Sequence, residues 1–242
     1  MKKKVLNSIK MIALLVFVVF LYAFSSSRNA NRKLQAVAMR FENSTNLLTA
    51  RKEMLKEINH FVEAKKTKKG AITNSVLKNI ETRLATNKLI DNASVYLSLD
   101  DTLFVAIKQK EPIARIVSTS SYYLDTKGKK IPLSKNYTVR VPLVYGSFSA
   151  DELLKIKELL DNINQDKLLK KQIVTIIKNG RNEYEMTTRL GNQRVIFGKL
   201  TKMPEKLKKL SLFYGDAWKK KRLKQFKTIN LKYHHQIICK KI

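Results

Sequence analysis

Three residues near the end of the chain could in principle hold a metal ion or act as a nucleophile and its base: His234, His235 and Cys239. Their spacing argues against both. On an extended strand, His235 and Cys239 are four residues and roughly 13 Å apart, too far to share one ion directly. His234 and His235 are adjacent and so point to opposite faces. A nucleophilic Cys239 would need a histidine from another element, and the third histidine, His60, falls in another domain of the chain. Asp100-Asp101 is a carboxylate pair, but it lies between two alternating apolar runs, where turn chemistry accounts for it. Tyr122-Tyr123 read as strand residues flanking a core, and the single Trp218 as an exposed or semi-buried packing residue. These residues form no catalytic set, metal site or cofactor motif.

Charge is the strongest compositional signal. The formal net charge is +30 over 242 residues, with 49 Lys and Arg against 19 Asp and Glu. Nucleic acid, anionic headgroups or an acidic wall polymer could each answer such a balance. There is no RNP-type aromatic motif, zinc-finger spacing or glycine-rich phosphate loop, which argues against nucleic-acid readout. Most lysines lie beside helical apolar positions and read as solvated faces. Two runs, 202–209 and 219–222, hold a candidate contact set for an acidic partner or the membrane: Lys206, Lys209, Lys220 and Arg222. One cysteine excludes an internal disulfide, so the fold must hold by packing.

These residues need a scaffold. At the N-terminus, MIALLVFVVFLYAF (Met11–Phe24) is uninterrupted and apolar. Counting back to Val5 gives about twenty residues, enough to span a hydrocarbon layer of roughly 30 Å. The same segment also fits a signal peptide, with Lys2–Lys4 as a basic start and Ala23-Phe24-Ser25 as a small-x-small cleavage site. Lys2, Lys3, Lys4 and Lys10 before the span balance Arg28, Arg32, Lys33 and Arg40 after it. Long domains are translocated largely regardless of charge, which puts the N-terminus in the cytoplasm and the bulk outside.

Beyond the span, periodicity predicts a strand over 34–42 and a helix from Thr49 carrying Met54, Leu55, Ile58, Phe61 and Val62. A second helix opens near Thr73 with Val76, Leu77, Ile80 and Leu84 on one face. An antiparallel pair follows, Val95–Leu99 and Leu103–Ile107, closed by Glu111-Pro112 because proline has no N–H for the ladder. After 118–121 come a hairpin at Lys127-Gly128, a buried strand in VPLVYG (141–146), and a helix opened by a Ser149/Glu152 capping box. Strands follow at 173–178, 183–190 and 194–197, then a basic helix at 204–214 with Leu207, Leu210 and Phe213 inward. A long alternating strand over 228–239 closes the chain. Its faces are Ile229, Leu231, Tyr233, His235, Ile237 and Cys239 on one side, and Asn230, Lys232, His234, Gln236, Ile238 and Lys240 on the other. At a sheet edge such a strand can accept another chain; alternatively it closes its sheet, with Lys232 and Lys240 blocking the edge. The fold class is α+β.

The order of parts resembles the FtsQ/DivIB family of bacterial cell-division proteins. QKEPIAR (109–115) is similar to the end of that family's POTRA domain, and YLDTKGKKIPLS (123–134) to the opening hairpin of its β domain. VPLVYG resembles its proline-aliphatic strand, VIFG (195–198) its aliphatic-x-Gly strand, and TINLKYHHQI (228–237) its penultimate signature. Asn230 and Lys232 stand where the family has aspartate and arginine, and Asn43-Ser44 where its first strand has a glycine.

The resemblance implies a cytoplasmic tail over 1–10, a retained transmembrane helix over 11–27, and a linker with a β-α-α-β-β POTRA domain over 28–117. A mostly antiparallel β domain with flanking helices and a C-terminal edge strand takes 118–242. It further implies a non-enzymatic scaffold in the plasma (inner) membrane, enriched at the septum, that helps assemble septal wall synthesis. Its partners would be small single-pass coiled-coil proteins such as FtsB and FtsL, with other division proteins met through the POTRA domain. The partner-binding residues would be Asn230, Lys232, Tyr233, His235, Gln236 and Ile237. The alternative from another class is a membrane-anchored envelope enzyme or wall-binding protein of the same architecture.

Overall fold

In the computed structural model, residues 2–30, 34–42, 48–65, 73–233 and 236–242 are described, with the side chains of 10–27 in the first segment and 48–64 in the third. Asn43-Ser44, residues 66–70, His234 and His235 lie outside them. The chain divides into two compact units, Met1–Gln109 and Lys110–Ile242.

The first unit begins with α1 (Lys2–Ala30). Within it, Lys10–Ser27 is long and apolar enough to cross a membrane, and every one of its described side chains is exposed. Next come β1 (Ala36–Phe41), α2 (Arg51–Lys65), α3 (Asn74–Ala85), β2 (Ile90–Leu97) and β3 (Thr102–Gln109). β3 is central: β1 runs parallel to it, with Val37 opposite Leu103, and β2 antiparallel, with Val95 opposite Val105. A parallel pair needs a crossover, which α2 and α3 supply. Their inward faces, Met54, Ile58 and Val62 with Val76, Ile80 and Leu84, bury Leu103, Val105 and Ile107 of β3. Asp100 accepts from Thr102 Oγ1 at 3.1 Å and also bonds Ser98 Oγ, and Asp101 turns at φ +61°; the carboxylate pair is a turn.

The second unit holds one nine-stranded sheet. Its first strand, β4 (Pro112–Val117), has no counterpart in the sequence pattern, which ends a ladder at Pro112. Proline does end β3, but a strand's first residue needs no donor, and Ala114 and Ile116 alternate into the core. The unit boundary accordingly falls after Gln109 rather than at 117/118. Then follow β5 (Tyr122–Asp125), β6 (Lys130–Ile131), β7 (Leu143–Tyr145), α4 (Ala150–Gln165), the short α5 (Leu169–Gln172), β8 (Ile173–Lys178), β9 (Tyr184–Thr188) and β10 (Arg194–Gly198). Last come α6 (Met203–Lys219), a 3-10 turn at Leu223–Gln225, β11 (Phe226–Asn230) and β12 (Ile238–Lys241).

The strand order is β12-β11-β10-β9-β8-β7-β4-β5-β6, with parallel pairs only at β10/β11, β7/β8 and β4/β7. Leu153, Ile156, Leu160 and Ile163 of α4 share a core with Leu207, Leu210 and Tyr214 of α6 and with Ile116, Ile176, Val195 and Phe197 of the sheet. The expected capping box is present: Ser149 Oγ accepts from Glu152 N–H, and Glu152 Oε2 accepts from Ser149 N–H at 2.9 Å. At the β5/β6 hairpin, Asp125 Oδ1 accepts from Lys127 and Lys129 N–H at 2.9 and 2.7 Å, and Gly128 supplies the left-handed turn residue.

The last segment departs from expectation. Instead of one strand over 228–239, β11 stops at Asn230 and the chain returns as β12, antiparallel to it, with Ile229 opposite Cys239 and Asn230 opposite Ile238. The two-faced alternation expected across 229–240 is therefore split between two strands. The cause is local. Leu231 N–H makes the last bond to β10, to Ile196 O at 2.9 Å, and the Asn230 side chain then captures Lys232 N–H at 3.0 Å. An asparagine bonding two residues ahead mimics a turn and ends a ladder.

Candidate partner-binding edge

β12 is the last strand in its sheet, and among the described residues no strand pairs its outer side. Its backbone groups there form a template for an added strand, and its short length with Lys240 and Lys241 blunts self-pairing. Cys239 is half-buried, and burial pushes its thiol pKa up, which makes it a packing residue rather than a reactive one.

Just before β12 lies a cluster assembled from four elements. Gly198 ends β10 at φ +76°, beside a register shift after Ile196. A Cβ there would come within 2.9 Å of Lys232 Cγ, so the Lys232 stem lies directly on the glycine. The Lys232 ammonium reaches Glu183, before β9, at 2.7 Å. That contact, the largest influence on Glu183, holds its carboxyl below the ordinary range, with Arg181 and Lys199 adding to it. From α6, Lys209 Nζ donates to Tyr233 O at 2.6 Å and pins the start of the excursion. Lys206 Nζ donates to Lys199 O and Phe197 O at 2.8 and 3.1 Å and stands 4.8 Å from the Phe197 ring centroid. Burial first, then the charge of Lys209, lowers the Lys206 pKa against the opposing pull of Glu183.

The structure thus brings Asn230, Lys232 and Tyr233 together with Lys206 and Lys209. Tyr233 is 48% exposed, Gln236 is exposed, and Ile237 is half-buried against the core. His235 lies outside the described residues. Lys220 and Arg222 are elsewhere, past the far end of α6, where both face Asp216 at 2.8 and 4.0 Å. Lys220 is the largest cause holding the Asp216 carboxyl down. The four cations grouped by sequence are therefore two separate pairs. Glu183 escapes sequence reasoning altogether, because nothing in its neighbourhood signals a lysine 49 residues later.

Among the described residues no group of three His, Cys, Asp or Glu could hold a metal. His60 is exposed on α2. Tyr123 is buried, with its Oη accepting from Val139 N–H at 3.1 Å.

The family model described as "FtsQ/DivIB, C-terminal related" matches residues 111–240, more than half of the chain. The chain belongs to the FtsQ/DivIB family. The match begins one residue before β4 and ends inside β12, so it covers the second unit and its edge. A member of this family is a cell division protein, and this one carries a candidate transmembrane helix at its N-terminus. No curated protein matches the chain. One similar solved structure is the major extracytoplasmic domain of the trans isomer of the bacterial cell division protein DivIB from Geobacillus stearothermophilus. It is 13% identical, covering 48% of this chain and 97% of that one at a TM-score of 0.32, a level at which the superposition carries no argument.

Proposed function

We propose that this FtsQ/DivIB member is a single-pass, non-enzymatic scaffold that binds small coiled-coil division proteins of the FtsB/FtsL kind along β12. The helix over 11–27 anchors it in the plasma membrane, with residues 1–10 cytoplasmic, the bulk extracytoplasmic, and the protein enriched at the septum. The linker and POTRA domain, ending at Gln109, are open to other division proteins, and the β domain takes Lys110–Ile242. The observation that carries this reading is the unpaired outer side of β12, at the end of the family-matched region. Main-chain bonds to an added strand supply affinity. Asn230, Lys232, Tyr233, Gln236 and Ile237, with His235 beside them, supply selectivity. Lys206 and Lys209 position the excursion from behind, while Lys220 and Arg222 offer charge to an acidic partner or the membrane.

The test is capture of a small single-pass coiled-coil division protein by the full-length chain in detergent. Tyr233→Ala and Lys232→Glu are each expected to weaken capture about tenfold, the size of one good interface contact. Undiminished capture by both variants would overturn the assignment of this edge.

A further inference from the structure

At the end of the sheet where β12 finishes lies a groove of about 550 Å³ lined by Leu190, Gly191, Trp218, Leu223 and three lysines, Lys219, Lys221 and Lys224. Three elements build it: the β9–β10 turn, the end of α6, and the 3-10 turn leading into β11. Gln193 Nε2 donates to Leu223 O at 2.5 Å and ties the first of these to the third. Its floor is apolar and open, with Trp218 62% and Leu190 38% exposed. Among the described residues, none of the three lysines lies within ion-pair distance of a carboxylate, whereas their neighbours Lys220 and Arg222 both face Asp216, whose carboxyl Lys219 also influences at longer range.

One further observation concerns the backbone of the rim. α6 ends in a Schellman arrangement, with Arg222 N–H bonded to Ala217 O at 2.9 Å and Lys221 N–H to Trp218 O at 3.0 Å. The residue at the turn of that motif is left-handed and is most often glycine. Here it is Lys221, at φ +54°. Lys202, at the opposite end of α6, shares this conformation at φ +51°, so the rim is marked by its lysine charges around an apolar recess and not by backbone geometry alone.

We propose that this groove is a docking site for an acidic protein segment that inserts one large apolar side chain against Trp218 and Leu190 while its carboxylates meet Lys219, Lys221 and Lys224. The recess selects a protruding side chain, as buried interface anchors do, whereas a flat bilayer is met by projecting residues. The lysine rim selects negative charge on either side of that anchor. The site uses none of the residues assigned above to partner binding along β12 and stands without that assignment.

Trp218 is the only tryptophan, so the groove reports on itself. The experiment titrates the full-length chain, in phosphatidylcholine nanodiscs, with the synthetic peptide acetyl-Asp-Glu-Leu-Leu-Glu-Asp-amide and follows Trp218 emission. A saturable blue shift is expected, with the apparent Kd rising about tenfold from low to physiological salt. Glycines in place of the peptide's leucines, or lysines in place of its acids, should abolish the response. Lys221→Gly separates binding from folding. It should weaken peptide binding about threefold, as loss of one exposed charge contact does, yet raise the thermal midpoint by about 2–4 °C through relief of the left-handed residue. Lys219→Gln combined with Lys224→Gln should weaken binding further without that rise. Absence of a saturable shift, or an equal response to the lysine peptide, overturns the proposal. So does quenching of Trp218 by brominated phosphatidylglycerol in the discs without a peptide response, which would make the groove a lipid site.

Discussion

Substituting Gly198 by alanine probes the cluster before β12 at its tightest point. At φ +76° an L-residue costs about 1–2 kcal/mol, offset by about 0.4–1 kcal/mol because alanine restricts the unfolded chain. The new methyl must also displace the Lys232 stem, whose Cγ would lie 2.9 Å away with Cδ at 3.5 Å. Moving a lysine stem off its rotamer costs about 0.5–1.5 kcal/mol. The sum predicts a loss of about 1–2.5 kcal/mol, read as the urea midpoint of the second unit by Trp218 fluorescence. The two contributions separate in a double-mutant cycle. In a Lys232→Ala background there is no Cγ to displace, so Gly198→Ala should then cost only the backbone part, about 1 kcal/mol. An equal cost in both backgrounds would show that the stem does not lie on the glycine. A cost near zero in the native background would refute the left-handed geometry itself.

Two further perturbations test the core and the capping box. Tyr214→Phe removes the hydroxyl that donates to Gln193 Oε1, leaving that buried amide oxygen only the 3.5 Å bond from Thr188 Oγ1, and should cost about 1 kcal/mol by urea denaturation. Burial pushes Tyr214 and Tyr184 up to about 12. Because the folded values are raised, the stability they confer is complete below pH of about 10 and lost as pH climbs toward about 12, and Tyr214→Phe should shrink that alkaline loss. Glu152→Gln weakens both the Ser149 cap and the 2.5 Å pairing with Lys178 on β8, for a cost of about 1 kcal/mol at neutral pH. Lys178 is the first cause of the lowered Glu152 pKa. A lowered folded value confers stability above the usual carboxylate range that disappears as pH falls through it, so wild type and variant should converge in acid.

Much of this fold is legible in the sequence wherever the determining contacts are local. The capping box at Ser149 and Glu152, the hairpin held by Asp125, and the apolar faces of α3 and α4 follow from spacings of two to four residues, and each is found in place. The departures share the opposite character. β4 is hidden because Pro112 looks like a terminator. Only its neighbours β5 and β7, one antiparallel and one parallel, make a strand of residues 112–117. The break after Asn230 is invisible because apolar alternation runs straight through Leu231, Tyr233 and Ile237, while a side-chain bond of two residues' reach decides the turn. Of the site, Lys206 and Lys209 are visible as charge, but their bonds to Phe197 O, Lys199 O and Tyr233 O are not.

Those bonds bear on the proposed selectivity. Lys209 donates to Tyr233 O and Lys206 to Phe197 O and Lys199 O, so removing either should loosen these backbone contacts in addition to any contact it makes with a partner. Among the described residues, further lysines lie at the groove rim and on β12 itself, where Lys240 and Lys241 belong to the edge strand. Lysines on an edge strand repel a second copy of the same edge and attract an acidic stranger. The net charge of +30 adds to the repulsion opposing pairing of β12 with a second copy of itself.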